Sequence, residues 1–130
     1  VELGYHFCYG SLGGKHFIEP KTIEPMVDLA NRISAGLQHT PTWIHMPVPI
    51  ERNDADYYRG LKNLNIKRET TLYLGLIHAD DGVEGAAKRI ATAEKFIINF
   101  GIATECGFGR RPADTVLPLL NLHKEIASLI

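Results

Sequence analysis

The chain has 130 residues, 45% of them hydrophobic and 22% charged, and a formal net charge of −1. This composition predicts a single domain over residues 1–130, and the scattered basic residues give no electrostatic footprint for nucleic acid. No apolar run approaches the roughly 18 residues of a membrane span, and the N-terminus lacks the basic-then-apolar order of a signal peptide, so we expect a soluble, cytoplasmic protein.

Four apolar runs rich in β-branched and aromatic residues predict strands, and each is followed by a segment with helical periodicity. The first helix is expected from Thr22, as its N-cap, to Gly36. The second is weaker and is expected from Asp54 to Leu61, interrupted by Gly60. The predicted strands cover 3–9, 42–48, 71–78 and 100–106.

The third and fourth helices close the chain. The third is predicted to open after Asp80-Asp81 and to end before Gly101, with one apolar stripe. The fourth follows Pro112, with Pro118 within or next to its first turn. Its inward residues are expected to be Leu119, Leu122, Ile126 and Leu129.

This alternation predicts an α/β fold of four βα units with a parallel sheet. A (β/α)8 barrel takes roughly 250 residues and eight strands, so the chain corresponds to half of one. Helices on one face would leave the other face of the sheet open, with Leu72, Leu74 and Leu76 or their alternates exposed, which parallel sheets normally avoid. We therefore expect a homodimer or higher self-assembly, or a missing N-terminal half of the barrel.

Both cysteines of the chain lie where a strand-like run ends, at His6-Phe7-Cys8 and at Cys106. Residues two apart in a strand point to the same face, so His6 and Cys8 can converge. One imidazole and two thiolates form the ligand set of a catalytic zinc site. We favour this interpretation over a disulfide, because a chain of this size does not need a staple. His45 and His78 also fall toward strand ends.

Several of these residues carry a resemblance to a known superfamily. His-x-Cys after the first strand, Ile77-His78 closing the third and Glu105-Cys106-Gly107 before Arg110-Arg111 resemble the C-terminal barrel of cobalamin-independent methionine synthase. The superfamily also contains uroporphyrinogen decarboxylase. The run at 102–111 is most similar to a microbial and fungal branch that is distinct from the synthases.

The resemblance implies a zinc-dependent methyltransferase, or its metal-bearing half, that transfers a methyl group to a thiol. It implies His6, Cys8 and Cys106 as zinc ligands, and it places His45 where the family has a glutamate ligand. His78, Arg110 and Arg111 are the implied substrate-binding residues, although the two arginines also fit a solvated pair at a helix entrance. The alternatives are a metal-free enzyme like uroporphyrinogen decarboxylase and a non-catalytic, self-associating half-barrel.

The remaining motifs are assigned weaker roles. The glycine-rich segment 10–16 departs from a phosphate-binding loop in spacing and lacks its Ser or Thr, so no nucleotide is expected. It is interpreted as a flexible loop over the site. Glu105 fits a carboxylate that orients a metal ligand or a structural ion pair equally well. No role is assigned to His16, His39 or His123.

Overall fold

The computed structural model describes residues 1–10 and 15–130, and it confirms the α/β class. The prediction of a flexible glycine-rich loop falls largely on residues 11–14, outside the described part of the chain. No helix among the described residues is long and apolar enough to cross a membrane. The elements are β1 (Gly4–His6), α1 (Glu24–Gly36), β2 (Trp43–Pro47), α2 (Ala55–Tyr58) with a 3₁₀ turn (Arg59–Asn63), β3 (Thr71–Ile77), α3 (Gly82–Ala93), β4 (Phe100–Thr104) and α4 (Ala113–Ala127).

The four strands form one parallel sheet in the order β1-β2-β3-β4. Their register aligns His6 with His45, His45 with Tyr73, and Tyr73 with Gly101. Because paired residues of neighbouring strands point to the same face, these four positions form one row across the sheet. The register therefore places both histidines on the same face of the sheet, on the neighbouring strands β1 and β2.

The core lies on the other face of the sheet. The side chains of Leu72, Leu74 and Leu76 are buried there with Ile44 and Met46 of β2. Tyr73, which alternates with these leucines, is 37% exposed. The expectation of one open face therefore holds at Tyr73 but not at Ile77, which also alternates with the leucines and is 1% exposed. The open part of this face adjoins the row of His6, His45 and Tyr73.

Several predicted element boundaries differ from those observed. The strand β1 ends at His6, although the Phe7 N–H still donates to the His45 carbonyl at 3.0 Å. The N-cap position of α1 is Ile23 without a side-chain cap, so Thr22 is not the cap. The helix α3 ends at Ala93, well before Gly101. A left-handed Asn99, with φ of 61°, makes the turn into β4.

In the last helix, α4, the apolar pattern of the sequence continues beyond the end of the helix. Pro118 is the sixth residue of α4, next to the first turn as predicted, and it removes the hydrogen bond that would reach the Asp114 carbonyl. Leu119 and Ile126 are buried as predicted, and Leu122 is half-buried. Leu129 is 65% exposed because the helix has already ended at Ala127, so its predicted inward position is wrong.

A fully buried arginine joins α3 to the end of β3. The Arg89 guanidinium donates from Nε to the Leu76 carbonyl at 2.8 Å and from Nη1 to the Ile50 carbonyl at 2.9 Å. It also donates two hydrogen bonds to the Asp81 carboxylate, at 2.6 and 2.7 Å. A buried charge needs such compensation, so this network fixes α3 against the sheet.

Candidate functional site

Three potential metal ligands meet at the carboxyl ends of the two outer strands. The donor atoms of His6, Cys8 and Cys106 all lie within 4.8 Å of one another. The first two come from β1 and its exit, and Cys106 lies two residues beyond β4. Since β1 and β4 occupy opposite ends of the strand order, the sheet must curl around its open face to bring them together. Three donors of this type fit a zinc site with one position left for a substrate.

His45 lies beside this group and orients it. The His45 Nε2 lies 2.9 Å from the Thr104 carbonyl, which can only accept, so Nε2 carries the proton. Burial lowers the pKa of His45 to about 4, so the ring is neutral at pH 7 and its Nδ1 is an acceptor. The His6 Nδ1, at 2.8 Å, must therefore donate to it. This leaves Nε2 of His6 with a lone pair available for a metal.

The two cysteines are held by backbone contacts. The Gly10 N–H donates to Cys8 Sγ at 3.3 Å, and the Thr104 hydroxyl donates to the Cys106 carbonyl at 2.8 Å. Both cysteines are free thiols. Cys8 is exposed and Cys106 is half-buried, so the group is accessible from solvent. These contacts fix the chain on either side of the group before any ligand binds.

A concave pocket of about 470 Å³, here called the sheet pocket, lies on the open face next to the metal-ligand group. Trp43 and Tyr73 form its aromatic walls. The Trp43 ring lies over Gly4 and the Tyr73 ring over Gly101, at positions where a Cβ would clash with each ring. The described lining residues are His6, Trp43, His45, Tyr73, Ala103, Thr104, Cys106 and Gly107.

A second polar cluster surrounds Glu105 on the same rim. The His78 Nε2 donates to the Val48 carbonyl at 2.8 Å, and its Nδ1 lies 3.9 Å from Glu105 Oε2. The His16 Nε2 lies 3.0 Å from Glu105 Oε1, but that oxygen has no hydrogen bond of good geometry. Burial raises the pKa of the Glu105 carboxyl, and the nearby His16 opposes this shift. Burial also lowers the pKa of His78.

The structure brings some of the predicted site residues together and leaves others apart. His6, Cys8 and Cys106 come together as expected, whereas His45 contacts His6 and lies outside the group of three donors. His78 lies with Glu105. Arg110 and Arg111 are exposed at the entrance to α4 and do not line the sheet pocket among the residues described. The substrate-binding roles of these three residues stay predictions.

Three residues of the site were missed by the sequence analysis. The side chain of His16 is only 15% exposed and reaches Glu105 across 89 positions of the chain, a contact with no local signal. The spacing of Trp43 and Tyr73 is typical of any amphipathic strand, so it did not indicate a pocket. Only the observed register could have identified them as walls of one pocket.

No family model, no curated protein and no solved structure matches this chain. The resemblance to the methionine synthase and uroporphyrinogen decarboxylase superfamily accordingly stays a prediction from the quoted motifs.

Proposed function

We propose that the chain binds zinc through His6, Cys8 and Cys106 and uses this site to activate a thiol for methyl transfer. The observation that carries the proposal is the convergence of three soft donors within 4.8 Å from opposite ends of the strand order. Thiolate and imidazole ligands favour zinc over the hard cations that prefer oxygen. Zinc, when bound, supplies a Lewis acid that lowers the pKa of a thiol at its open position.

In this proposal the residues of the chain position the metal ligands and do not transfer protons. His45 holds the His6 ring through Nδ1 and is itself held by the Thr104 carbonyl. The Gly10 N–H and the Thr104 hydroxyl anchor the cysteine-bearing segments. Ligands oriented in this way lose less conformational entropy when a metal binds. The sheet pocket leaves room for a substrate beside the ligand group.

The direct test is elemental analysis of the whole chain, purified under reducing conditions with zinc supplied. One zinc per chain supports the proposal, and methylation of an added thiol by a methyl donor then tests the reaction. Protein that remains free of zinc under these conditions would contradict the metal site and the proposed chemistry with it.

His45 provides a prediction that separates an orienting role from the role of a fourth ligand. Replacing His45 by Phe removes the acceptor for His6 Nδ1, and we expect zinc affinity to fall by roughly 10–100-fold, as for other partners of ligating histidines. His45→Gln keeps an acceptor and a donor and should recover part of the loss. Competition with a chromophoric zinc chelator measures both affinities.

The spectrum of cobalt-loaded protein serves as the control for this experiment. An orienting role predicts that the cobalt absorption of His45→Phe keeps the ligand-field pattern of the wild type once the protein is saturated. A changed coordination number in that spectrum would instead identify His45 as a ligand.

We further propose that the chain associates with a second copy, or with a missing half of the barrel, through the outer edges of β1 and β4. Within the described residues neither edge has a strand neighbour. Unpaired edges expose backbone donors and acceptors, which the strands of a second sheet would pair. We expect sedimentation velocity to show a dimer or larger species, and a compact monomer at all concentrations tested would contradict association with a second copy.

A further inference from the structure

The chemical lining of the sheet pocket narrows the class of thiol that it can accept. Among the described lining residues there is no Lys, Arg, Asp or Glu, and the walls are Trp43, Tyr73 and Ala103. An amino-acid thiol would bring an ammonium and a carboxylate into this space. The pocket offers these groups no countercharge, so they would gain no ion pair here, whereas an apolar body would bury area against the aromatic walls.

The pocket is continuous with the candidate metal site. His6 and Cys106 belong both to the lining of the pocket and to the group of three donors. A ligand whose sulfur approaches this group would therefore extend its remaining atoms between the Trp43 and Tyr73 rings. The volume of about 470 Å³ lies within the roughly 300–1,000 Å³ typical of small-molecule sites.

We propose that the sheet pocket binds the apolar body of an uncharged thiol, aromatic or aliphatic, with its sulfur at His6, Cys8 and Cys106. This inference rests on the proposed function and adds the class of the substrate. Aromatic walls bind such a body through its apolar area and through ring contacts, and neither requires a countercharge.

Ligand binding in the sheet pocket can be followed by the fluorescence of Trp43, because it is the single tryptophan of the chain. We would titrate the zinc-loaded chain with benzyl mercaptan and with homocysteine, following Trp43 fluorescence and the heat of binding. We expect benzyl mercaptan to bind at least tenfold more tightly, with a change in Trp43 emission. Equal or tighter binding of homocysteine would overturn the inference and leave the zinc proposal standing.

A matched pair of alanine substitutions tests the location. Ala103→Leu fills the pocket, whereas Ala35→Leu adds the same side chain to an exposed position of α1. We expect Ala103→Leu to weaken benzyl mercaptan binding at least tenfold with zinc content unchanged, and Ala35→Leu to have no effect. Unchanged binding in zinc-loaded Ala103→Leu would place the thiol elsewhere and overturn the inference.

Two further outcomes are decided by companion measurements. Titrating the wild-type chain with toluene tests the apolar pocket without a sulfur ligand. If the wild type takes up no zinc but toluene still changes the Trp43 emission, the proposed function fails while the apolar pocket stands. If benzyl mercaptan instead dissociates a dimer in sedimentation velocity, a second copy occupies the pocket, and the inference is overturned.

Discussion

Cys106→Ser is expected to lose stoichiometric zinc binding, with an affinity reduced more than roughly 100-fold, because even the loss of a residue that only orients a ligand costs roughly 10–100-fold. Cys106 is the sole donor contributed by β4 and its exit, opposite His6 and Cys8. A serine hydroxyl keeps the size of the side chain but is a poor ligand for zinc at neutral pH. Elemental analysis and chelator competition on the purified chain measure the effect.

The matched control uses the histidines. His6→Ala removes a member of the donor group and should lose zinc to a similar extent, whereas His39→Ala removes an exposed histidine outside that group. We expect His39→Ala to bind zinc as the wild type does and, in zinc-free buffer, to unfold at nearly the same urea concentration as Cys106→Ser. His6→Ala should unfold at a lower concentration, because it removes the hydrogen-bond partner of the buried His45 Nδ1. Zinc retained at full affinity in both Cys106→Ser and His6→Ala would refute the ligand assignment.

Asp81→Asn is expected to lower the free energy of unfolding by about 3 kcal/mol, the lower end of the range for breaking a buried ion pair. The side chain of Arg89 is 0% exposed, and Asp81 is its carboxylate partner. The variant leaves the guanidinium buried without a countercharge. The loss lies at the lower end because the Asp81 side chain is 32% exposed. Urea unfolding at pH 7 measures this loss.

The pH dependence of the stability difference between wild type and Asp81→Asn tests whether the charge of Asp81 causes it. The Arg89 guanidinium holds the pKa of the Asp81 carboxyl below its usual value, so the folded state binds this proton more weakly than the unfolded state. The contribution of the pair to stability is therefore complete above the unfolded pKa of about 3.9 and is lost as pH falls through the lower folded pKa. We expect the difference between wild type and Asp81→Asn to be constant from pH 7 to about pH 5, and to shrink below about pH 4.

A surface pair on the same helix is the control for Asp81→Asn. Glu84 accepts from Lys88 at 2.7 Å, and both side chains are largely exposed. Exposed pairs of this kind contribute little, so Glu84→Gln should leave the unfolding midpoint unchanged. An equal loss in both variants would mean that burial of Arg89 does not govern the effect.

Much of the fold could be predicted from local patterns. The alternation of apolar runs with helical periodicity located all four strands within the described chain and the helix that follows each of them, because hydrophobic periodicity reflects which face of an element is buried. Boundaries were predicted less well. The helix α3 ends at Ala93 although apolar residues continue at Phe96 and Ile97, so periodicity alone did not locate its end.

The donor residues of the candidate site could be predicted from the sequence, whereas the contacts that support them could not. His6, Cys8 and Cys106 followed from residue chemistry and from their position at strand ends. The orienting role of His45 depends on the parity of β2, which directs its ring onto the open face toward His6 and Thr104. Glu105 with His16 and His78 depends on contacts between distant segments, which no spacing in the sequence reports.

By itself, the sequence determined the order and type of the elements and the identity of the soft donors, since both follow from local residue chemistry and periodicity. Tertiary structure decided which donors meet and what surrounds them. The curl of the sheet brings the ends of β1 and β4 together, and the register aligns His6, His45 and Tyr73 on one face. Both are collective properties of strand pairing and core packing, so they are absent from any single segment of the chain.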